Sequence, residues 1–437
     1  MGGVTEPRTA AAHILADLRA GMMLEPAFEK RIVGLDARDR RWIQELVWGM
    51  LRVRGWIDAV LAVRIRGGLA RLDADVTDLL RLGTYQLLNM GSVPPYAAIG
   101  QTVELTKRRH GIGASKLANA VLRRVDRERE ALEPPVPADA IEALAQKYSH
   151  PRWLVARWVA RYGEAEVVKL LIANNAEAPI IVRPYGVVRE QLEAMLEGAG
   201  VAVQDIPLVP DSLQLASGVA LTELGAFKQG LFFVQDPGAT LVARYAAVPQ
   251  GAVVADLCAA PGGKALEMSR NASTVIAADR QSLRVDRMLL GIGRVDAQNV
   301  RPIVADATAP AIRPVDMVLV DVPCTGTGTF RRHPDARWRL KISDLAVLGA
   351  IQRNILRAAA AVVKPGGLLV YSTCSLEPEE NDAQVDAFLA ANSDFALEPP
   401  PAGAVHASVL DNGRLRVLPQ QHAVDGAFAA RLRRNAV

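Results

Sequence analysis

The chain has 437 residues, a formal net charge of +4, half of its residues apolar and 22% charged. At about 100–200 residues per domain this means two to four domains with more than one buried core, and the composition excludes a disordered polymer, a coiled coil or a fibre. No apolar stretch approaches the roughly 18 residues of a membrane span. The polar start MGGVTEPRTAAAH has no signal-peptide core, and three cysteines are too few for a disulfide framework, so a cytoplasmic protein is expected.

In residues 1–130 there are 21 lysines and arginines against 15 acids, whereas the remainder holds 30 against 32. A basic first third suits a polyanion partner, and equally an Arg-rich helical surface. Apolar residues recur at three and four spacing in Ala10–Ala20, Arg40–Val53, Ile57–Ile65 and Val76–Met90. Val93-Pro94-Pro95-Tyr96 breaks the pattern, and Ala97–Arg109 and Ser115–Val125 supply two more helices. An all-helical domain ending near Arg129 is expected. The segment ALEPPVPADA, with three prolines, reads as a linker.

Ile141–Tyr148 and Trp153–Tyr162 look helical, the latter a core helix. From Pro179 the texture turns to short strand-like runs, APIIVRP, GVAVQDIP, SLQLA and LFFVQD, around one helical stretch, Val188–Glu197. From Gly251 apolar runs at 252–257, 274–278, 300–304, 317–322 and 367–371 alternate with helical segments at 264–270, 283–292 and 345–363. That alternation predicts a doubly wound, mostly parallel sheet. Candidate strands at 414–418 and 427–433 predict an antiparallel hairpin at its edge.

Three motifs follow strands of that sheet. Asp256-Leu257-Cys258-Ala259-Ala260-Pro261-Gly262-Gly263-Lys264 lets the backbone approach a ligand at a strand's carboxyl end. It is neither a P-loop nor G-x-G-x-x-G, because Cys258 and Ala265 stand where the P-loop needs Gly and Ser or Thr. Asp279, ending the next strand, is placed to accept from ribose hydroxyls. A nucleoside cofactor without a pyrophosphate fits, S-adenosylmethionine foremost; a tight turn with two solvated acids fits the spacing as well. Asp321-Val322-Pro323-Cys324 and Ser372-Thr373-Cys374-Ser375 are the second and third motifs. Any one cysteine is ordinarily a small buried hydrophobe, but all three follow strands on the ligand-binding edge. Glu377–Asn381 reads as a helix start, which predicts that a helix dipole lowers the Cys374 thiol pKa.

Together, DLCAAPGGK, DVPCTGTGTFRRHPDARW and YSTCSLEPEEN closely resemble the RNA cytosine-5 methyltransferases of the Sun/Fmu type. LVWGMLRVR, LLRLGTYQLLNM and KLANAVLRRV resemble a NusB-type RNA-binding domain, and the pairing is the layout of the RsmB family, which acts on 16S rRNA. The resemblance runs from about Arg8 to Arg434. It implies a methyl transfer from S-adenosyl-L-methionine to cytosine carbon 5, with Cys374 as the nucleophile on carbon 6. Cys324 would assist loss of the carbon 5 proton and release of the enzyme. Asp321, protonated, would hold the ring nitrogen and exocyclic amine, and Lys264 would line the same site. The cofactor would lie over Cys258, Ala259, Ala260, Pro261, Gly262, Gly263 and Lys264, with Asp279, Arg284, Asp306 and Asp321 around it. Arg331, Arg332 and His333 would hold RNA, which must present an unstacked base.

The resemblance also implies the fold class. It is multidomain, with an all-α NusB-like domain at 1–130, a linker at 131–140, a small α+β module at 141–235 and a C-terminal α/β Rossmann-like class I methyltransferase at 236–437. Arg8, Arg40, Arg41, Lys107, Arg108 and Arg109 are RNA-contact candidates. The expected partner is RNA, as 16S rRNA or a pre-assembled small subunit, and the protein a monomer. No histidine shows metal-ligand spacing, so no metal is expected. Ala265, Gly291 and the Ala427-Phe428 pair depart from the family pattern and bear on cofactor affinity. The same chemistry on tRNA or another rRNA, and a NusB-like RNA-binding factor with a non-catalytic cofactor domain, are the competing readings.

Overall fold

The computed structural model describes residues 4–436, which divide into two compact units. The first contains the chain through Ala176 and, from far downstream, Phe330–Arg339. The second contains Glu177–Thr329 and the chain from Leu340.

The first unit is helical: Glu6–Arg19, Leu24–Arg31, Ala37–Arg52, Arg54–Ala62, Ala74–Asn89, Pro95–Arg127, Ala140–Lys147, Arg152–Tyr162 and Glu164–Asn175. Side-chain caps explain several starts. Asp36 accepts from Asp39 N at 2.8 Å, Asp73 from Asp75 N at 2.8 Å and Asp139 from Glu142 N at 2.7 Å. The apolar stripes meet in one core in which Ile14, Ile43, Leu46, Val47, Leu80 and Leu122 are fully buried. The two helices expected around residues 97–125 are present and meet at a kink at Gly111, whose φ of 79° only glycine adopts readily. The expected break is therefore a single residue, after which the helix resumes. Trp158 is buried at 1% exposure, as a core helix requires.

The segment Phe330–Arg339 is woven into this unit by its own polar groups. Trp338 Nε1 donates to Leu51 O at 2.8 Å, and Trp48 Nε1 donates to Arg332 O at 3.1 Å. The fully buried Arg337 guanidinium donates to Asn175 Oδ1 at 2.6 Å and Asn174 O at 2.8 Å.

The second unit begins with strands β1 (Ile180–Pro184), β2 (Val203–Asp205), β3 (Leu213–Leu215) and β4 (Phe232–Val234) in the antiparallel order β2-β3-β1-β4. Helix Arg189–Gly198 packs Leu192 and Leu196 with Val182, Leu213 and Phe232. The larger sheet comprises β5 (Val253–Asp256), β6 (Thr274–Asp279), β7 (Val300–Val304), β8 (Val315–Asp321), β9 (Val363–Thr373), β10 (Phe395–Leu397), β11 (Leu410–Asp411), β12 (Arg414–Val417) and β13 (Ala427–Arg434). Its order is β11-β12-β13-β9-β8-β5-β6-β7, with β10 added on β13. Strands β7, β6, β5, β8 and β9 run parallel, and β13 pairs antiparallel with β9. This is the expected doubly wound sheet with an antiparallel hairpin at its edge. Helices Gly263–Met268, Ser282–Arg294 and Ser343–Ala361 are the expected connections; Pro237–Ala246 and Asp382–Ala391 add two more.

A buried ion pair joins the small sheet to the helix Gly263–Met268. Arg183, fully buried on β1, places Nη2 2.6 Å from both carboxylate oxygens of Glu267, and Nη1 2.6 Å from Asp211.

Candidate active site

Chain order reverses between β5 and β8, and in open α/β sheets ligands bind outside the strand carboxyl ends at such a point. Asp256, Asp279, Asp321 and Thr373 end four of these strands. Asp256 is fully buried and neither of its oxygens meets a hydrogen-bond partner. Burial, reinforced by the nearby Asp321 carboxylate, pushes its carboxyl up to about 7, against the pull of Lys264. An orphaned carboxylate here calls for a donor from a ligand.

The turn that follows leaves no space for side chains. Gly262 has φ 105°, and a Cβ on it would lie 2.9 Å from Met288 Cγ; one on Gly263 would lie 2.8 Å from Gln235 Nε2. Ala259 N is anchored to Ala278 O at 2.8 Å, which ties the turn to β6. Burial, reinforced by Asp256, pushes the Cys258 thiol up, so it stays neutral. Asp279 accepts from Gln281 N at 3.0 Å and pairs with Arg284 Nη1 at 3.1 Å, while Arg284 Nη2 donates to Ala260 O at 2.6 Å. Asp306, after β7, accepts from Thr308 N and Oγ1 at 2.8 and 2.7 Å, bonds that lower its carboxyl pKa.

The ends of β8 and β9 bring the other motifs together. Asp321 pairs in register with Ser372 and accepts its hydroxyl at 2.8 Å; on the other oxygen it accepts Lys264 Nζ at 2.6 Å. Burial alone would lower the Lys264 pKa, but the Asp321 carboxylate outweighs it and raises it. Cys324 Sγ and Cys374 Sγ lie 3.3 Å apart, both half-buried and free of disulfides. The hydrogen bond with Cys374, and then burial, push the Cys324 thiol well up.

Beneath the cysteines sits a residue that the sequence reading does not single out. Glu380 is fully buried and accepts from Thr325 N at 3.0 Å, from Thr325 Oγ1 and from Gln352 Nε2 at 2.9 Å. Gly328 N donates to Cys374 O at 2.9 Å, and a Cβ on Gly328 would lie 2.8 Å from both that oxygen and Gly426 Cα. The loops are thus clamped side by side. The only sequence signal for Glu380 is its place in a run of acids that otherwise reads as a solvated helix start.

One expectation is corrected here. Cys374 does not abut a helix: the helix begins at Asp382, and residues 375–381 form an irregular turn. Side chains claim the turn's backbone, since Thr373 Oγ1 accepts Ser375 N at 3.1 Å, Ser375 Oγ accepts Glu377 N at 3.0 Å and Asn381 Nδ2 donates to Ser375 O at 2.8 Å. The helix-dipole argument for this thiol therefore lapses.

Arg331, Arg332 and His333 lie in the segment that belongs to the helical unit. The carbonyls of Arg331 and Arg332 accept from Arg52 Nη2 and Trp48 Nε1, and His333 Nδ1 is 3.7 Å from Glu25. Of the basic N-terminal candidates, Arg8 donates to Gln86, Arg40 to Leu35 O, Arg108 to Glu104 and Arg109 to Asp75.

Fold and site together define a Rossmann-like methyltransferase, preceded by a helical domain and a small α+β module. Comparison with known proteins agrees over the whole length. Residues 246–433 match the 16S rRNA methyltransferase RsmB/F family, residues 5–127 the NusB family, and residues 150–222 the ferredoxin-like domain of RsmF/B-like methyltransferases. Ribosomal RNA small subunit methyltransferase B of Vibrio cholerae is 33% identical over 98% of both chains. That of Xylella fastidiosa is 36% identical over 98% of this chain and 97% of its own. The crystal structure of PH0851 superposes with a TM-score of 0.81 at 27% identity, covering 98% of each chain. The chain belongs to the RsmB/F family of RNA methyltransferases. Among the described residues, no helix is long and apolar enough to cross a membrane.

Proposed function

We propose that the chain methylates carbon 5 of a cytosine in 16S rRNA, using S-adenosyl-L-methionine and a covalent Cys374–cytosine intermediate. The observation that carries this reading is the Cys324–Cys374 pair at 3.3 Å beside the Lys264–Asp321 pair. The small-subunit rRNA substrate rests on the relatives, which are named for it.

Cys374 Sγ attacks carbon 6 as a thiolate, breaking the 5,6 double bond. Asp321 accepts the exocyclic amine, and the ring nitrogen takes a proton held on the Lys264–Asp321 pair. Carbon 5 then carries the electron density of an enamine and can accept an electrophilic methyl group. In the last step the carbon 5 proton passes to solvent water, the 5,6 double bond re-forms, the ring-nitrogen proton returns to the Lys264–Asp321 pair and the sulfur–carbon bond breaks, steps assisted by Cys324. As a neutral thiol it donates to the Cys374 sulfur, stabilising that sulfur as it leaves.

The residues present fit S-adenosylmethionine. The orphaned Asp256 carboxylate suits a cationic or hydroxylic donor and Asp279 suits ribose hydroxyls, while glycines 262 and 263 let Met288 and Gln235 pack against the turn. Cys258, Ala259, Ala260, Pro261, Lys264, Arg284, Asp306 and Asp321 complete the set. When bound, the cofactor would supply a sulfonium methyl group to a carbon nucleophile, a neutral thioether leaving with the electron pair of the broken sulfur–carbon bond. We assign RNA placement to the helical domain at 1–130 and the module at 141–235, and read the protein as a cytoplasmic monomer.

The test uses Cys374→Ala and Cys324→Ala, each incubated with S-adenosylmethionine and small-subunit rRNA. Cys324→Ala should accumulate an RNA–protein adduct that survives denaturation; Cys374→Ala should give neither adduct nor methylated cytosine. Methylation by Cys374→Ala would refute the nucleophile assignment.

A further inference from the structure

The helical unit contains a cavity of about 450 Å³. Its apolar lining includes Leu15, Met50 and Leu72, with the indole of Trp338. The arginines 19, 54, 81 and 339 line it as well. Three of the four are committed to carboxylates: Arg19 to Asp75 and Asp78, Arg81 to Asp58 and Asp78, Arg339 to Asp335.

Arg54 is the exception. Its Nε is shut off from solvent and has no hydrogen-bond acceptor. The nearest carboxylate oxygen is Asp58 Oδ2 at 3.8 Å, too far for a hydrogen bond and already taken by Arg81 Nη2 at 2.8 Å. The guanidinium carbon sits 5.1 Å from the centre of the Trp338 ring. A guanidinium that is short of acceptors, held over an aromatic face and set in a cavity with an apolar lining, matches a ligand with an oxyanion next to a flat, weakly polar ring.

We propose that this cavity binds one nucleotide of single-stranded RNA, its phosphate on Arg54 and its base between Trp338 and the apolar lining. The choice of RNA rests on the function proposed above. A nucleotide satisfies both the charged and the apolar lining of the cavity: the planar guanidinium fork takes two phosphate oxygens, and stacking on an aromatic ring is tolerant of base identity. The site would hold substrate RNA at a point other than the methylated cytosine. Trp338 and Asp335 belong to the segment joined to Cys324 through the short stretch Thr325–Thr329. A ligand seated here therefore touches the chain 11 to 14 residues after Cys324.

The test is binding of a fluorescent single-stranded 12-nucleotide RNA to the full-length protein at several salt concentrations. Two variants probe the site independently: Arg54→Gln removes the charge, and Ala70→Trp plugs the cavity from an exposed lining position without altering charge. Each should raise the Kd about tenfold, the size of one charge-assisted contact. Arg54→Gln should also flatten the slope of log K against log salt by about 0.7, one phosphate on a single strand, which a purely structural role would not do. Arg54→Lys should keep the slope while losing part of the affinity.

Unchanged binding by Ala70→Trp overturns the proposal, because any effect at Arg54 would then be general surface charge. Ala70→Trp also keeps the test decisive should Arg54→Gln fail to fold. Methyl transfer by the wild-type protein is scored separately. Cytosine methylation with unaffected binding in both variants removes the cavity site alone; weakened binding without methylation removes the proposed reaction alone.

Discussion

Cys324 and Cys374 are 50 positions apart in sequence, yet their sulfurs are separated by 3.3 Å. The cause is strand pairing: β8 and β9 are parallel neighbours with Asp321 opposite Ser372, so equivalent loops leave the same edge side by side. The hydrogen bond between the two sulfurs is the first cause that raises the Cys324 pKa.

The close approach of the two loops depends on Gly328. A methyl group there would collide with Cys374 O and Gly426 Cα at 2.8 Å, both backbone atoms that cannot step aside. Gly328→Ala is expected to cost about 1–3 kcal/mol of stability and to displace the Cys374 loop. Urea denaturation and adduct formation check this. A variant as stable as wild type, with a normal adduct yield, would show that the clamp is slack.

Glu380 holds Thr325 and Gln352 through a buried carboxylate without being placed among the reacting atoms. Glu380→Ala should cost about 3 kcal/mol, because buried donors lose their acceptor. The milder Glu380→Gln should lower kcat while leaving KM for RNA nearly unmoved, since it shifts the Cys324 loop alone. An equal rise in KM would place its effect on RNA binding instead.

Asp256 carries a pH signature. Its folded-state pKa of about 7 lies above the ordinary aspartate value, so the stability it contributes is fully present below about pH 4 and is lost as pH rises to about 7. Asp256→Asn removes that loss. Lys264, Asp321 and Asp279 stay in place around it. Thermal melts of the ligand-free protein should show the variant gaining on wild type by on the order of 2 kcal/mol between pH 5 and pH 8. A gain of the same size at both values would contradict the raised pKa.

The Arg183–Glu267 pair predicts strong non-additivity. Removing either partner alone leaves the other buried with a single remaining close ion-pair partner, Asp211 for Arg183 and Arg270 for Glu267, and should cost about 1–3 kcal/mol. The double variant Arg183→Met with Glu267→Leu should cost far less than the two single losses combined. Denaturant midpoints of all four proteins measure it, and additive losses would mean that each charge is satisfied without the other.

Much of this arrangement can be read from the residues alone. Strands β5 to β9 appear as apolar runs because both faces of a parallel sheet are covered, and the three motifs sit where those runs end. Helix Glu164–Asn175 escapes the periodic reading because its apolar residues bunch at Val167–Ile172 and show no single face. Strands β10 and β11 have three and two residues, too few to show alternation. The expected helix behind Cys374 gives way to side-chain hydrogen bonds that propensity does not encode. The position of Glu380 beneath Thr325 depends on a pairing across 55 residues, which no local pattern carries.

Phe330–Arg339 lies downstream of two of the three motif-bearing strands, β5 and β8, yet it completes the helical unit, with Trp338 and Arg337 hydrogen-bonded inside it. The helical part is therefore not a self-contained cassette at the front of the gene. A recombination event that exchanged only the first 176 codons would deliver a domain missing ten of its own residues, and would leave those ten facing a foreign host. The two halves must be inherited together, or the ten residues must travel with the helices.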